Sequence, residues 1–457
     1  MSRISLLSDL LSSFTPRSWF SDQPNERTTS VEELKALCSK LVRSRGEATG
    51  VRIAADILSG IRGLDADGRA AFFRMLAEDF SPHRERLVEA AGAYAAEPGP
   101  QTLSRLQREA EPPRQELFRR LNLAPGGTAE LVRLREYLLP LLADDYEGLK
   151  PVDMDLRHLF GSWFNRGFLV LKPIDWDTSA RILEKIIAYE AVHAIDDWDA
   201  LRSRLAPSDR RCFAFFHPSI PDDPLIFVEV ALTRDIPASI GAVLTDEREV
   251  LEPREAETAV FYSISNCHKG LAGVSFGSFL IKQVAEDLKD SVPGLSTFVT
   301  LSPVPGFARW VDGLDETFVA RLDAGEKRAL SIIAEEGWAF DEKQAEAARP
   351  GLLSLAARYF LTERRGDGQP IDPVARFHLG NGAMLNRIMH RADISPGGLK
   401  RAKGLMVNYL YDLPKVEERH EAYADEAAVA ASRQVRQLLP AGSERRTDAV
   451  TAKGHAA

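Results

Sequence analysis

Over the first quarter of the chain, apolar residues recur among polar ones at helical spacing, and Pro or Gly separates the segments. No alternating run rich in β-branched residues occurs there. The pattern predicts an all-α bundle used for packing or assembly. The predicted helices are Val31–Arg45, Val51–Arg62, Arg69–Phe80, Arg86–Glu97, Gln101–Glu109 and Arg114–Asn122.

The segment Leu123–Thr128 (LAPGGT) predicts a domain boundary, because Pro125, Gly126 and Gly127 in a row do not continue a helix. We therefore expect an α-helical domain over 1–128 and a catalytic domain over 129–437, which opens with a helix at Glu130–Ala143. The remaining residues, 438–457, are polar and rich in Ala, Gly, Ser and Arg. This composition predicts a disordered tail.

The pattern changes in the second domain, where short apolar runs rich in β-branched residues predict strands between amphipathic helices. This arrangement indicates a mixed α/β fold, followed from Glu316 on by mostly helical sequence. The predicted strands are Gly167–Leu171, Leu225–Leu232, Thr258–Ser265 and Ser296–Leu301. The predicted helices are Ser179–Glu190, Gly277–Lys289, Lys327–Glu336 and Leu352–Leu361.

A glycine-rich loop follows the strand at Thr258–Ser265 and precedes a helix. Gly270 and Gly273 would expose backbone N–H groups at the positive end of the helix dipole, where phosphates bind. Lys269 could contact that phosphate or could be solvated. Ser263 and Ser265 end the strand beside the loop, so a phosphate-bearing ligand could present its reactive end to a hydroxyl.

Composition and charge argue against a nucleic-acid-binding protein and against a protein that spans a membrane. The net charge of −9 argues against a nucleic-acid-binding protein with a dominating positive face. The 3 cysteines lie far apart, which fits a reducing compartment. A cytoplasmic protein is expected because no targeting signal is recognised in the sequence. No apolar run has the length of a membrane span. The first 20 residues, Ser-rich with two Arg, favour a packed or frayed helix over a transit segment.

Two other kinds of site are weighed against the phosphate loop. Residues 273–277 match G-x-S-x-G, the nucleophile elbow of α/β-hydrolases, with Ser275 as nucleophile and His378 downstream. However, about ten residues separate the strand from Ser275, and an elbow tolerates almost none. The 9 histidines show no helical H-x-x-x-H spacing, so we expect no metal site.

Several longer segments, in order from about residue 160 to 411, resemble the malonyl-CoA decarboxylase family. They are SWFNRGFLVL (162–171), EAVH (190–193), EVALT (229–233), FYSIS (261–265), KGLAGVSFGSFLIK (269–282), LSPVPGF (301–307), FHLGNGA (377–383) and GLMVNYLY (404–411). The resemblance implies a helical domain followed by a catalytic domain similar to acyl-CoA N-acetyltransferases (GNAT-like). The loop amides would then hold the CoA pyrophosphate.

The resemblance also implies roles for individual residues. The catalytic set would be Ser265, His378 and Tyr411, with Ser263, on the same strand face, as the alternative serine. The segment after EVALT would line the CoA site, although Pro237 and Gly241 depart from the expected pattern. The implied malonyl-CoA-binding residues are Pro237, Ala238, Ser239, Ile240, Gly241, Ala242, Val243, Lys269, Gly270, Gly273 and Ser275.

The implied reaction is the conversion of malonyl-CoA to acetyl-CoA and CO2, a carbon–carbon lyase reaction. The thioester carbonyl can accept the electrons as an enolate, so no cofactor or metal is expected. Backbone N–H groups suit the enolate oxygen, and His378 is the expected proton source. Ser265 would bind the carboxylate or His378. We expect a homo-oligomer that binds neither nucleic acid nor membrane. The alternatives are another acyl-CoA-dependent acyltransferase and a non-catalytic CoA-binding sensor.

Overall fold

The structure is a computed structural model that describes residues 29–144, 146–274 and 280–440. Contacts divide the chain into two compact units, Met1–Leu156 and Arg157–Ala457. The predicted N-terminal segment 1–20 and residues 441–457 of the predicted tail lie outside the described ranges. Cys38, Cys212 and Cys267 are free thiols, and all are buried.

The first unit is helical, as the sequence predicts. Its helices are α1 (Val31–Arg43), α2 (Glu47–Arg62), α3 (Ala66–Asp79), α4 (Arg84–Ala96), α5 (Pro100–Ala110), α6 (Pro113–Asn122), α7 (Gly127–Leu141) and α8 (Tyr146–Trp163, of which residues up to Leu156 belong here). A capping box starts α1, because Ser30 Oγ accepts from Glu33 N at 3.2 Å and Glu33 Oε2 accepts from Ser30 N at 3.0 Å.

The predicted boundary at residue 128 lies inside this unit. The predicted turn does form, and Gly126 has the left-handed φ of 72°. However, α7 then packs on α2, α3 and α6. Buried ion pairs also join neighbouring helices, with Arg135 Nε 2.7 Å from Asp153 Oδ1 and Arg114 against Asp155. The contacts therefore place the division after Leu156 rather than after residue 128.

The second unit is mixed α/β, which confirms the predicted fold class. Its strands are β1 (Val170–Ile174), β2 (Arg210–Phe216), β3 (Ile226–Thr233), β4 (Thr258–Asn266), β5 (Thr297–Thr300), β6 (Ser302–Pro303), β7 (Met384–Met389) and β8 (Met406–Leu410). They form one 8-stranded sheet in the order β1-β2-β3-β4-β5-β8-β6, with β7 also on β8.

Helices connect and cover these strands. They are α9 (Ala180–Tyr189), α10 (Trp198–Leu205), α11 (Ile240–Leu244), α12 (Leu280–Ser291), α13 (Phe307–Asp312), α14 (Glu316–Ala320), α15 (Ala324–Ile333), α16 (Glu342–Leu361), α17 (Pro373–Gly380), α18 (Pro396–Ala402), α19 (Val416–Glu426) and α20 (Arg433–Arg436). In the described ranges, no helix has both the length and the apolar character needed to cross a membrane.

The sheet opens between its two parallel strands. β4 and β5 pair in parallel only from Thr258 to Phe261, and all other strand pairs described are antiparallel. The last link runs from Leu301 N to Phe261 O at 2.9 Å. β4 then continues to Asn266, whereas the chain after Leu301 pairs with β8. β4 also has a bulge at Tyr262. Glu229 and Val230 are adjacent on β3, but they lie opposite Ser263 and Phe261, so Tyr262 is an extra residue that bends β4.

Candidate active site

Ser263 and Ser265 form a buried cluster with Glu190, which follows the C-terminus of α9. Ser263 Oγ donates to Glu190 Oε2 at 2.7 Å, and Ser265 Oγ donates to the same oxygen at 3.1 Å. The two hydroxyl oxygens are 3.4 Å apart, and each serine is 1% exposed. Alternation along a strand, with period two, places both hydroxyls on one face of the sheet. One carboxylate thus fixes the direction of both hydroxyl protons.

The turn after Glu190 completes this cluster with backbone donors. The N–H groups of Val192 and His193 donate to Glu190 Oε1 at 2.9 and 2.7 Å. Ala191 N donates to Ser265 Oγ at 3.3 Å. The half-buried carboxylate therefore accepts four hydrogen bonds, which replace much of the water that it loses.

A cavity of about 540 Å³ adjoins this turn. Val192, His193 and Ala194 line it, and so do Ser239, Ile240 and Gly241 of the segment expected to bind CoA. The other lining residues are Leu244, Arg391, Ala392, Asp393, Ile394, Ser395 and Arg401. The structure thus brings part of the predicted CoA segment to a cavity whose wall also binds Glu190.

The predicted CoA segment is held by its backbone. Ser239 Oγ caps α11 by accepting from Ala242 N at 3.3 Å, and Ile240 N donates to Ala392 O at 2.9 Å. Val243 and Ile240 are buried and pack in one core cluster with Tyr262. These contacts place the segment on the face of the sheet that carries Ser263 and Ser265.

A buried ion pair lies beneath the serine cluster. Arg204 Nη1 donates to Glu229 Oε2 at 3.0 Å, and Arg204 Nη2 donates to Ala194 O at 2.9 Å. Burial raises the pKa of Glu229, Arg204 lowers it, and the nearby Glu190 charge raises it further. The pair ties β3 to the cavity wall at Ala194.

His378 belongs to a second polar cluster. Its Nδ1 is 2.8 Å from Tyr411 Oη, and its Nε2 is 3.1 Å from Ser302 Oγ. Ser302 Oγ donates to Thr300 Oγ1 at 2.8 Å. The imidazole stacks on Tyr409 with 4.4 Å between ring centroids. The structure therefore brings together His378 and Tyr411, the two residues that the family resemblance implies, and adds Ser302.

The hydrogen bonds of His378 assign its tautomer. Because the Ser302 proton is directed to Thr300, Ser302 accepts from Nε2–H, and Tyr411 donates to Nδ1. Burial lowers the pKa of His378 to about 3. The ring is therefore neutral near pH 7, in contrast to the ordinary pKa near neutrality on which its expected role as proton source rested.

Ser265 and His378 do not hydrogen-bond each other, contrary to one of the two predicted roles of Ser265. Phe261 contacts Tyr411, with 6.4 Å between ring centroids. Alternation along β4 and the bulge at Tyr262 then place Ser263 and Ser265 on the opposite face from Tyr411 and His378. The two clusters flank the point where β4 and β5 separate.

The glycine loop lies directly after β4. Lys269–Leu271 form a short 3-10 helix in which Gly270 is buried and Lys269 is exposed. Gly273 has a left-handed φ of 72°, and Arg157 Nη2 donates to its carbonyl at 3.3 Å. Arg157 thus adds a cation beside the loop. Ser275 lies outside the described residues.

Glu190, Ser302 and Arg157 were not singled out from the sequence. Glu190 begins the EAVH match and Ser302 lies in the LSPVPGF match, so each was part of the resemblance without an assigned role. Arg157 had no signal in the sequence. Within the described ranges, no group of three or more His, Cys, Asp or Glu side chains is arranged to hold a metal ion.

Comparison with known proteins gives consistent matches over both units. The malonyl-CoA decarboxylase C-terminal domain model matches residues 167–449, and the malonyl-CoA decarboxylase N-terminal domain model matches residues 80–164. A mitochondrial malonyl-CoA decarboxylase from Anser anser anser is 36% identical over 418 residues, which cover 84% of this chain and 82% of that protein.

Solved structures agree. The crystal structure of malonyl-CoA decarboxylase from Rhodopseudomonas palustris is 53% identical with a TM-score of 0.85, covering 89% of this chain and 99% of that one. The corresponding protein from Cupriavidus metallidurans is 34% identical with a TM-score of 0.72, covering 90% of this chain and 99% of that one. The chain therefore belongs to the malonyl-CoA decarboxylase family.

Proposed function

We propose that this chain converts malonyl-CoA to acetyl-CoA and CO2 at the opening between β4 and β5. The observation that carries the proposal is the buried Ser263–Ser265–Glu190 cluster beside the cavity, in a chain that belongs to this family. The cavity and the glycine loop would hold the CoA part of the substrate. The malonyl group would then lie between the serine cluster and the His378 cluster.

The reaction needs only bond cleavage and one proton. The bond between the carboxylate carbon and the α-carbon breaks, and its electron pair moves into the thioester to form an enolate. The α-carbon then takes one proton, so each turnover consumes a proton that solvent must resupply. Because the thioester itself accepts the electrons, we propose that no separate cofactor is required.

Ser265 is proposed to bind the malonyl group, with Glu190 as a positioning residue. Glu190 and Ala191 N hold Ser265 Oγ in place, so substrate binding only has to turn the hydroxyl proton from Glu190 Oε2 to the malonyl group. A hydroxyl whose oxygen is already in position reorganises little as charge moves during the reaction. Orienting the carboxylate out of the thioester plane aligns the breaking bond with the carbonyl that accepts its electrons.

His378 is proposed to relay the proton as a neutral imidazole. In the resting site the hydrogen bonds of His378 point away from the substrate, so proton delivery requires both of them to reverse: Ser302 then donates to Nε2, and Nδ1–H donates to Tyr411 Oη. Tyr411 gives its proton to the α-carbon and takes the Nδ1 proton, while Nε2 takes the Ser302 proton, which solvent resupplies. This role differs from that of an imidazolium acid, which burial disfavours here.

The test is the variant His378→Asn. We expect turnover of malonyl-CoA to be abolished while acetyl-CoA binds with nearly unchanged affinity, as measured by calorimetry. Near-normal turnover in that variant would remove His378 from the mechanism.

We further propose that the protein works in the cytoplasm as a homo-oligomer assembled through its helical unit. The helical unit has few polar residues at the apolar positions of its helices and so offers no site for chemistry, which favours a role in packing or assembly. Light scattering on the full chain tests this, since a monomer would give the chain mass of 50.6 kDa. A monomer at micromolar concentration would reject the assembly role.

A further inference from the structure

Arg204 on α10 connects strand β3 to the turn that follows Glu190, residues 190–194, which we call the Glu190 turn. Its buried guanidinium donates through Nη1 to Glu229 Oε2 on β3 at 3.0 Å. Through Nη2 it donates to the carbonyl of Ala194 at 2.9 Å. Because a guanidinium presents its N–H groups in one rigid plane, these two bonds fix the distance between β3 and the end of the turn.

The Glu190 turn has little backbone support of its own. In the described ranges, residues 191–194 belong to no helix or strand and take part in no backbone–backbone hydrogen bond. Contacts with side chains hold them instead. At one end Glu190 Oε1 accepts from Val192 N, and at the other end Arg204 binds Ala194 O. Loss of the guanidinium would therefore free the end of the turn from β3.

Both ends of this connection reach the serine cluster. On the turn, Ala191 N donates to Ser265 Oγ at 3.3 Å, so a movement of the turn displaces a donor to the proposed substrate-binding hydroxyl. On the strand, Glu229 lies opposite Ser263, next to the bulge in β4. The guanidinium thus ties the turn to the strand that pairs with the serine-bearing strand.

We propose that Arg204 is a positioning residue for the decarboxylation, because it holds the Glu190 turn so that Ser265 Oγ stays in place for the malonyl group. This rests on the proposed function, since it requires Ser265 to bind that group. Arg204 itself touches no substrate and exchanges no proton in this role. A displacement of about 1 Å caused by a residue away from the reacting atoms can lower a rate by about 100-fold, so such support has a measurable effect.

The experiment removes the ion pair as a unit, with the double variant Arg204→Met/Glu229→Met. Removing one partner alone would leave an uncompensated buried charge, whereas apolar side chains of similar volume at both positions often preserve stability. The matched control is Arg358→Met/Glu326→Met, in which Arg358 Nε is 2.6 Å from Oε1 of the fully buried Glu326. This second ion pair joins α15 to α16, and neither of its residues lines the cavity.

Each double variant is made both with Ser265 and with Ser265→Ala, and kcat for acetyl-CoA formation is measured in all of them. Such a cycle reports whether two sites act through each other. With Ser265 present, we expect Arg204→Met/Glu229→Met to lower kcat by about 10- to 100-fold. With Ser265→Ala, the same change should lower kcat by less than about threefold, because the hydroxyl that Arg204 positions is already missing. The control pair should lower kcat by less than about threefold in both backgrounds.

A loss of kcat below about threefold with Ser265 present overturns the proposal. An equal loss in both backgrounds also overturns it, because that result would mark a general effect on the fold. If the double variant does not fold, as judged by circular dichroism and thermal unfolding, Arg204→Lys is measured against the same criteria, since an ammonium keeps the charge but lacks the planar fork.

Two further outcomes separate this proposal from the proposed function. If the original protein makes no acetyl-CoA, the proposed function fails and the positioning role of Arg204 fails with it. If the original protein is active and Ser265→Ala is equally active, the decarboxylase activity stands, but the role of Ser265 and positioning by Arg204 are both rejected.

Discussion

Two serine hydroxyls directed at one carboxylate are the main feature of the site at the scale of single residues. The sequence identified Ser263 and Ser265 but not Glu190. Glu190 lies 73 and 75 residues from the two serines along the chain, and only the fold brings them into contact. His378 and Tyr411 were identified only by family resemblance. The structure gives their contact a physical basis, a hydrogen bond of 2.8 Å.

The first prediction separates the two serines. Ser265→Ala should lower kcat by about 100-fold, because the malonyl group loses a hydroxyl that can donate to it once the proton turns away from Glu190. Ser263→Ala should have a smaller effect, since its hydroxyl mainly supports Glu190. Both are measured by acetyl-CoA formation. A larger loss in Ser263→Ala would assign the catalytic role to Ser263 instead.

The second prediction concerns Tyr411→Phe. This change leaves Nδ1 of the buried His378 without its partner, which should reduce the free energy of unfolding by about 1–3 kcal/mol and lower kcat. Tyr423→Phe is the control, because Tyr423 Oη has no hydrogen-bond partner in the described residues. Urea denaturation of both variants checks the difference, and equal stabilities would contradict the assigned bond.

At the scale of elements, helical periodicity predicted most helices well, whereas strand prediction was incomplete. β3, β4 and β5 coincide with apolar runs rich in β-branched residues. β2, β7 and β8 were missed. β2 (RRCFAFF) lacks β-branched residues, and β7 and β8 lie in a region expected to be mostly helical. Their pairing depends on distant partners, which local pattern cannot reveal.

Residues 277–279 of the predicted helix Gly277–Lys289 lie outside the described ranges. From Leu280 on, the predicted helix is present as α12. The phosphate role of the loop before it stays a prediction. Its residues Gly270 and Gly273 are placed directly after the serine-bearing strand, as expected from their spacing.

The third prediction concerns the turn that orients α17 and its His378. Gly382 has a φ of 78°, and a Cβ there would lie 2.0 Å from Val416 O. Gly382→Ala should therefore reduce the free energy of unfolding by more than about 2 kcal/mol and lower kcat as α17 shifts. Gly380→Ala is the control, because its Cβ would meet only the Tyr423 ring, at 3.7 Å. Equal unfolding free energies in urea would contradict this account.

For the whole molecule, buried neutral histidines link stability to pH. The pKa of His378 is about 3 in the folded protein, compared with about 6.5 when unfolded. Between these two pKa values the unfolded chain binds more protons than the folded protein does. The contribution of the neutral His378 to the free energy of unfolding is therefore complete above about pH 6.5 and is lost as pH falls. The folded state should therefore weaken on acidification.

The fourth prediction measures this link. His378→Asn should flatten the dependence of the unfolding free energy on pH between 6.5 and 4, by up to about 1.4 kcal/mol per pH unit. Urea denaturation at several pH values gives the slopes for the variant and the original protein. Comparing slopes removes the constant loss of the two hydrogen bonds of His378. Identical slopes would show that His378 is not held neutral by burial.

The arrangement of helical unit followed by mixed α/β unit was predictable, because each has its own periodicity and composition. The division after Leu156 was not, because a Pro-Gly-Gly turn looks like a boundary unless the packing of α7 is known. The opening between β4 and β5 was not predictable either, because it depends on how strands that are distant in sequence pair in the sheet. That opening places two polar clusters on opposite faces of one sheet, and the account of the reaction depends on it.

The most direct test mixes the purified protein with malonyl-CoA and a metal chelator, without ATP or any acyl acceptor, and follows acetyl-CoA and CO2. The account predicts that both products appear in equal amounts as malonyl-CoA disappears. Malonyl-CoA that binds and remains intact would contradict the account, and would favour a CoA-binding sensor or an acyltransferase that requires an acceptor.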